Sequence, residues 1–212
     1  MKILYAPDQA ILDAKKDRSL VKSIGILLIS TLLFIATIIV SSYFMKIPLD
    51  KIVYFEFMGV KTSIILWVFL IVFLGGMFFG FILTVVMNTL GGNGSFFDGL
   101  TAISYFLLPL SIGIFISFTI NFAPLQIKDI NLMLLKSLII FAIGIFFTAE
   151  SVAVMYRAIK ELFEIDMVGA WVGVIVISVA ITIPVYILLY SFLFQTIFGI
   201  FGSMLGGIIP LR

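Results

Sequence analysis

The sequence predicts an all-α, polytopic membrane protein, a bundle of five transmembrane helices with a short amino-terminal interfacial helix. Three observations carry this. Hydrophobic residues make up 63% of the chain and charged residues only 11%, and at a mean hydropathy of +1.31 there is too little polar surface to cover a water-soluble globule. The apolar residues fall into five long stretches, each near the ~20 residues that cross a bilayer. What lies between them is short, so no soluble domain fits, and the chain divides into an amino-terminal arm, residues 1–23, and a five-span membrane domain, residues 24–212.

The arm is read first. Asp8 follows a proline, and Ala10, Ile11 and Ala14 recur at roughly helical spacing beside Asp13, Lys15 and Arg18. That pattern suits a short helix lying in the membrane interface, or else a polar leader that only fixes topology. The first apolar run, residues 24–45, follows Lys15, Lys16, Arg18 and Lys22 as a signal peptide would. It is longer than a signal-peptide apolar region and no small-x-small cleavage site follows it, so it reads as a retained anchor.

The other spans are expected at residues 63–90, 96–120, 132–157 and 168–193. Trp67, Trp171, Tyr43 and Tyr156 fall near their ends, where an aromatic belt belongs. Lys2, Lys15, Lys16, Arg18 and Lys22 place the amino terminus in the cytoplasm, although Lys46, Lys51 and Lys61 on the next loop nearly balance them. An odd number of spans then puts Arg212 outside and the loops at 91–95 and 158–167 inside. Much Ile and Phe with no oxidisable thiol suits a thermophilic prokaryote, and the expected location is a prokaryotic cell membrane.

Histidine and cysteine are both absent, which removes disulfides, thiol and imidazole catalysis and most zinc ligation. No cofactor or metal is expected. The net charge of +2 comes without a basic stripe, so nucleic acid is not an expected partner.

One compact polar constellation stands out, Asn88-Thr89-Leu90-Gly91-Gly92-Asn93-Gly94-Ser95 followed by Asp98. Gly91, Gly92 and Gly94 permit a tight reversal, and Ser95 with Asp98 matches the Ser-x-x-acid signature of a helix start. The turn is therefore either a structural reversal and cap or a surface for partner contact. Phosphate binding is a poor fit, because a P-loop needs Gly-Lys-Ser or Gly-Lys-Thr and a dinucleotide fingerprint needs a preceding strand.

Glu150 lies inside the expected fourth span, two helical turns before Arg157 on nearly the same face. An intramembrane carboxylate is costly unless paired, protonated or hydrated, so Glu150 and Arg157 form a candidate intramembrane polar site. Gly76 with Gly80, and Gly169 with Gly173, offer small faces for close helix packing. Pro109 and Pro184 each remove a backbone donor and are expected to kink their helices. Lys160, Glu161, Glu164 and Asp166 are expected as a mixed-charge patch on the second inner loop.

Leu90-Gly91-Gly92-Asn93-Gly94-Ser95-Phe96, continuing through Leu100, Tyr105 and Pro109, resembles the Gly-Gly-x-Gly-Ser-Phe, then Tyr and Pro, of the Yip domain family, the Ypt/Rab-GTPase-interacting proteins and their prokaryotic relatives. Pro7-Asp8-Gln9-Ala10-Ile11, followed by Asp17-Arg18-Ser19-Leu20, is similar to the family's leader, with Arg18 where proline is usual. The resemblance runs nearly end to end and implies five transmembrane helices, a cytoplasmic amino terminus and no known enzymatic activity.

Three functions are thereby set against one another. The first is a non-catalytic scaffold or adaptor linked to membrane organisation or trafficking-type partner recruitment, with membrane lipids, a protein at the cytoplasmic face and a second copy of the chain as candidate partners. The second is a small transporter or channel in which Glu150, Asn88, Pro109 and Pro184 line a polar path, though an odd number of spans has no evident inverted repeat. The third, an intramembrane enzyme, lacks a nucleophile with a base, and Asp98 lacks an aspartate partner in another span.

Overall fold

The arm begins with a 3-10 turn, Lys2–Leu4, and a helix α1, Pro7–Asp17. Proline at the first helical position, Asp8 in the first turn and Lys15 and Lys16 in the last are the residues that helix ends favour. Arg18 stops the helix in the left-handed conformation at φ 38°, its N–H donating to the Ala14 carbonyl at 2.9 Å. Ile3, Ala10 and Ile11 are buried, so the apolar side of the arm packs into the protein.

In the computed structural model, residues 2–44, 54–57, 60–123 and 130–180 are described. Beyond α1 they form α2 (Leu20–Phe44), a hairpin of β1 (Tyr54–Phe57) and β2 (Val60–Ser63), α3 (Ile64–Phe69), a π-helical segment (Leu70–Leu74), α4 (Gly75–Thr89), α5 (Phe96–Phe122), α6 (Ile130–Phe163) and α7 (Met167–Ala180). Two compact units divide this chain, Met1–Val174 and Ile175–Arg212. The second is described only through the last turns of α7.

Four helical stretches are long and apolar enough to cross a membrane: Leu20–Ser41, Ile65–Thr89, Phe96–Phe122 and Asn131–Phe163. α7 is a shorter apolar helix that starts at the place expected for the fifth span, and residues 181–193 of that span, with Pro184, lie outside the described residues.

Two expectations are corrected. The fourth span does not end at Arg157, because α6 continues six residues further to Phe163. Ala158, Ile159, Leu162 and Phe163 supply a continuous apolar face, all 0–1% exposed, and burying it outweighs the charges on Lys160 and Glu161, which point outward. The loop expected at 158–167 therefore shrinks to Glu164–Asp166. Glu164 takes φ 54°, and the Asp166 carboxylate accepts the Gly169 N–H at 2.8 Å to cap α7. The second correction is the hairpin, antiparallel with Tyr54 opposite Ser63 and Phe57 opposite Val60, in a segment expected as plain loop.

α5 is the centre of the first unit: 44% of its most apolar stretch is buried, against none of the corresponding stretch of α6. It packs on α2, α4 and α6. Pro109 is buried within it and the helix runs through unbroken. A Cβ on Gly80 would lie 2.9 Å from the Leu100 Cα, and one on Gly99 would collide with the Gly80 carbonyl oxygen, so α4 and α5 touch backbone to backbone. Gly173 similarly admits the Met87 side chain, whereas Gly169 faces its own Ile165 and Asp166.

Many hydroxyls inside the bundle bond the preceding turn, as apolar surroundings favour, although those of Ser41 and Ser117 are buried without a partner among the described residues. Thr31 donates to the Leu27 carbonyl at 2.8 Å, Thr84 to Gly80 at 2.9 Å, and Ser104 to Leu100 at 2.7 Å. Between helices, the Ser23 and Thr101 hydroxyls meet at 2.6 Å. Leu134, Leu135, Leu138, Phe141 and Phe146 of α6 are exposed, an apolar face suited to lipid.

Candidate functional site

The polar constellation found in the sequence lies at the end of the bundle that carries the arm. α4 finishes at Thr89, and Gly91 reverses the chain at φ 93°, a conformation open to glycine at little cost. The Gly92 N–H returns to the Met87 carbonyl at 3.0 Å. Asn88 then clasps the turn from both sides, donating from Nδ2 to the Gly94 carbonyl at 2.9 Å and accepting the Gly94 N–H on Oδ1 at 3.1 Å.

The turn also seats on α6. The Asn93 N–H donates to the Phe163 carbonyl at 3.0 Å, satisfying an acceptor that the end of α6 leaves open. A Cβ at Gly94 would collide with the Phe163 ring, and one at Gly92 would come within 3.0 Å of the Met87 carbonyl oxygen. The glycines are thus a saddle over Phe163, whose side chain is fully buried.

Ser95 and Asp98 open α5. The Asp98 carboxylate reaches back to accept both the Ser95 N–H and the Ser95 hydroxyl on Oδ2, each at 2.7 Å, which is the carboxylate half of a capping box. At 2% exposure Asp98 is enclosed, and its other oxygen lies 4.0 Å from Arg18 Nε.

Of the seven turn residues singled out by sequence, Asn88, Gly91, Gly92, Gly94, Ser95 and Asp98 are therefore engaged with the fold. Asn93 differs: its side chain is exposed and makes no hydrogen bond among the described residues.

Glu150 and Arg157 are not brought together. Arg157 Nη1 donates to Asp8 Oδ1 of the arm at 3.2 Å. Glu150 is half-buried on α6, with no hydrogen-bond or ion-pair partner among the described residues. The helix spacing that suggested the pair is real, but Arg157 extends toward the arm.

Around the turn the arm is fastened by contacts that the sequence does not advertise. Lys15 Nζ lies 2.8 Å from Glu164 Oε1, and that hydrogen bond and charge hold the Glu164 carboxyl below its usual pKa. The Tyr105 hydroxyl donates to the Ala10 carbonyl at 3.3 Å in a buried setting. The Lys15–Glu164 and Asp8–Arg157 pairs each join residues about 150 positions apart, so no local spacing signals them.

Chemically, this end of the bundle is a polar platform on an apolar base. No group of three or more acidic residues that would hold a metal occurs among the described residues, and the chain has neither histidine nor cysteine.

No curated protein and no solved structure matches the chain significantly. The family model described as the Yip1 domain matches residues 1–191, which take in the arm, the glycine turn and all the described helices. A multi-pass helical membrane protein whose sequence matches that model over nine-tenths of its length belongs to the Yip1 domain family.

Proposed function

We propose that this protein is a non-catalytic membrane scaffold that recruits a partner at the arm end of its bundle, facing the cytoplasm. The Yip1 domain family is not a known enzyme family, and an arrangement that spends its polar groups on holding a surface in place needs no chemistry. The observation that carries the reading is the division of labour in the turn. Six of its residues fix the backbone over Phe163 and α5, while Asn93 keeps an uncommitted amide at the surface.

A side chain that contributes nothing to the fold while standing on a rigid base is where contact with a partner costs least in ordering entropy. The Lys-rich arm and the positive-inside tendency support the cytoplasmic placement.

The test is affinity capture of tagged protein from its native membranes after brief crosslinking, comparing wild type with Asn93→Ala and Glu150→Gln. A partner retained by Glu150→Gln and lost in Asn93→Ala, with unfolding temperature unchanged, is the expected result. Capture of only the chain itself and lipid would overturn the reading.

A further inference from the structure

The last turns of α6 carry charges that the fold leaves unused. Lys160 and Glu161 are exposed and have no ion pair or hydrogen bond among the described residues. They lie beside Arg157, whose pairing with Asp8 is itself exposed, at 46% and 72% of the two side chains. Exposed pairs of this kind contribute little and are readily exchanged for another partner.

Two cavities meet at this place. An open apolar groove of about 810 Å³ is lined on α6 by Gly144, Thr148, Ala149, Val152 and Ala153 and on α7 by Trp171. A smaller cup of about 260 Å³ that carries four charged side chains lies between Asp8, Ile11 and Leu12 of the arm and Arg157, Lys160 and Glu161 of α6. Tyr156 and Arg157 line both, so the groove and the cup adjoin. The Tyr156 and Trp171 rings, 4.9 Å apart at 31°, flank the junction as interfacial aromatics do.

From Phe141 to Arg157 the groove follows α6 for about 24 Å, well over half of a ~30 Å hydrocarbon core. Its length suits an acyl chain lying along the membrane normal. The cup holds two cations and two carboxylates, a mixed set of zero formal charge. A headgroup bearing only negative charge would meet Asp8 and Glu161 uncompensated, and a quaternary ammonium has no N–H to donate to them.

We propose that the adjoining groove and cup together form a binding site for a glycerophospholipid whose headgroup carries a primary amine. An acyl chain fills the groove, the phosphate pairs with Arg157 and Lys160, and the ammonium faces Asp8 and Glu161. The phosphate competes with Asp8 for Arg157, so occupancy loosens one fastening of the arm. This goes beyond the recruitment of a protein partner and does not depend on it.

Trp171 is a built-in reporter. With Trp67→Phe the chain retains a single tryptophan, and the protein is reconstituted in phosphatidylcholine vesicles containing a minor fraction of lipid brominated on one acyl chain. The brominated lipid carries an ethanolamine, choline or glycerol headgroup in parallel samples. Trp171 fluorescence is expected to be quenched most by the ethanolamine lipid, with a relative affinity about two- to fivefold above the other two.

A Cβ added at Gly144 would meet no atom within 4 Å, so Gly144→Leu starts its side chain in open space beside the groove and should bring all three lipids to the same quenching. Glu161→Gln should abolish the ethanolamine preference while leaving quenching by acyl contact. Circular dichroism verifies the fold of each variant, and Ala149→Leu blocks the groove independently if Gly144→Leu fails that check. Equal quenching by the three lipids in wild type, insensitivity to both groove-filling variants, or preference for the glycerol headgroup would each overturn the proposal.

Discussion

The glycine turn and the amino-terminal arm sit at the same end of the bundle, yet they are held by opposite means. The turn is held by backbone: Gly92 and Gly94 press onto Met87 and Phe163, Asn88 bonds Gly94 twice, and the Asn93 N–H closes on the end of α6. The arm is seated by a small apolar face of Ile3, Ala10 and Ile11, and its edges are fastened by exposed side-chain tips, Asp8 to Arg157 and Lys15 to Glu164. Close packing tolerates no added atoms, whereas exposed ion pairs are screened and exchanged. The turn is therefore architecture and the arm a fastening that can be undone.

The strongest test of that contrast is Gly94→Ala. Its new methyl has nowhere to go against the Phe163 ring, and a loss of about 1–3 kcal/mol is expected in detergent-solubilised unfolding. Combining it with Phe163→Leu should return part of that loss, a coupling that a double-mutant cycle reads directly. Additive losses would mean that the ring does not set the glycine requirement.

Asn88→Ala comes next, because it leaves both polar groups of Gly94 without their partner. The expected cost is about 1–3 kcal/mol, the lower part of the range applying because the site is exposed to water. The drop should register as global destabilisation with the arm still docked.

Asp8→Asn is expected to act differently. Global unfolding should shift by no more than about 1 kcal/mol, while amide exchange over residues 7–17 speeds up selectively. A global loss as large as that of Gly94→Ala would erase the distinction between the two regions.

The smallest effect concerns pH. Lys15 lowers the Glu164 pKa in the folded protein, so the unfolded or undocked chain binds the proton more tightly. The contribution is present above the usual carboxylate pKa and fades as the pH falls through the depressed value of the folded state. Arm exchange should accelerate over that acidic window, less so in high salt because the pair is exposed. Lys15→Gln should flatten the profile.

Much of this was legible in the residues. Apolar runs near the bilayer's length placed the helices, the Ser95 and Asp98 spacing marked the start of α5, and the glycine run marked a reversal. Phe163 could not be foreseen as the surface beneath the turn, since it belongs to a helix about 70 residues later. Nor could the length of α6 beyond Arg157, because Lys160 and Glu161 read as loop until the buried face of Ala158, Ile159, Leu162 and Phe163 is seen to have something to pack against.

The sequence by itself determined that the chain lives in a membrane, where the helices begin and which turn is special. Those follow from transfer free energy and backbone torsion, which depend on residues near one another in the chain. Only the tertiary structure decided that Arg157 joins Asp8 rather than Glu150, that the turn's polar groups are mostly engaged, and that an apolar groove adjoins a charged cup beside the arm. Contacts between distant segments depend on how packed helices bring side-chain tips together, and nothing in local spacing encodes that.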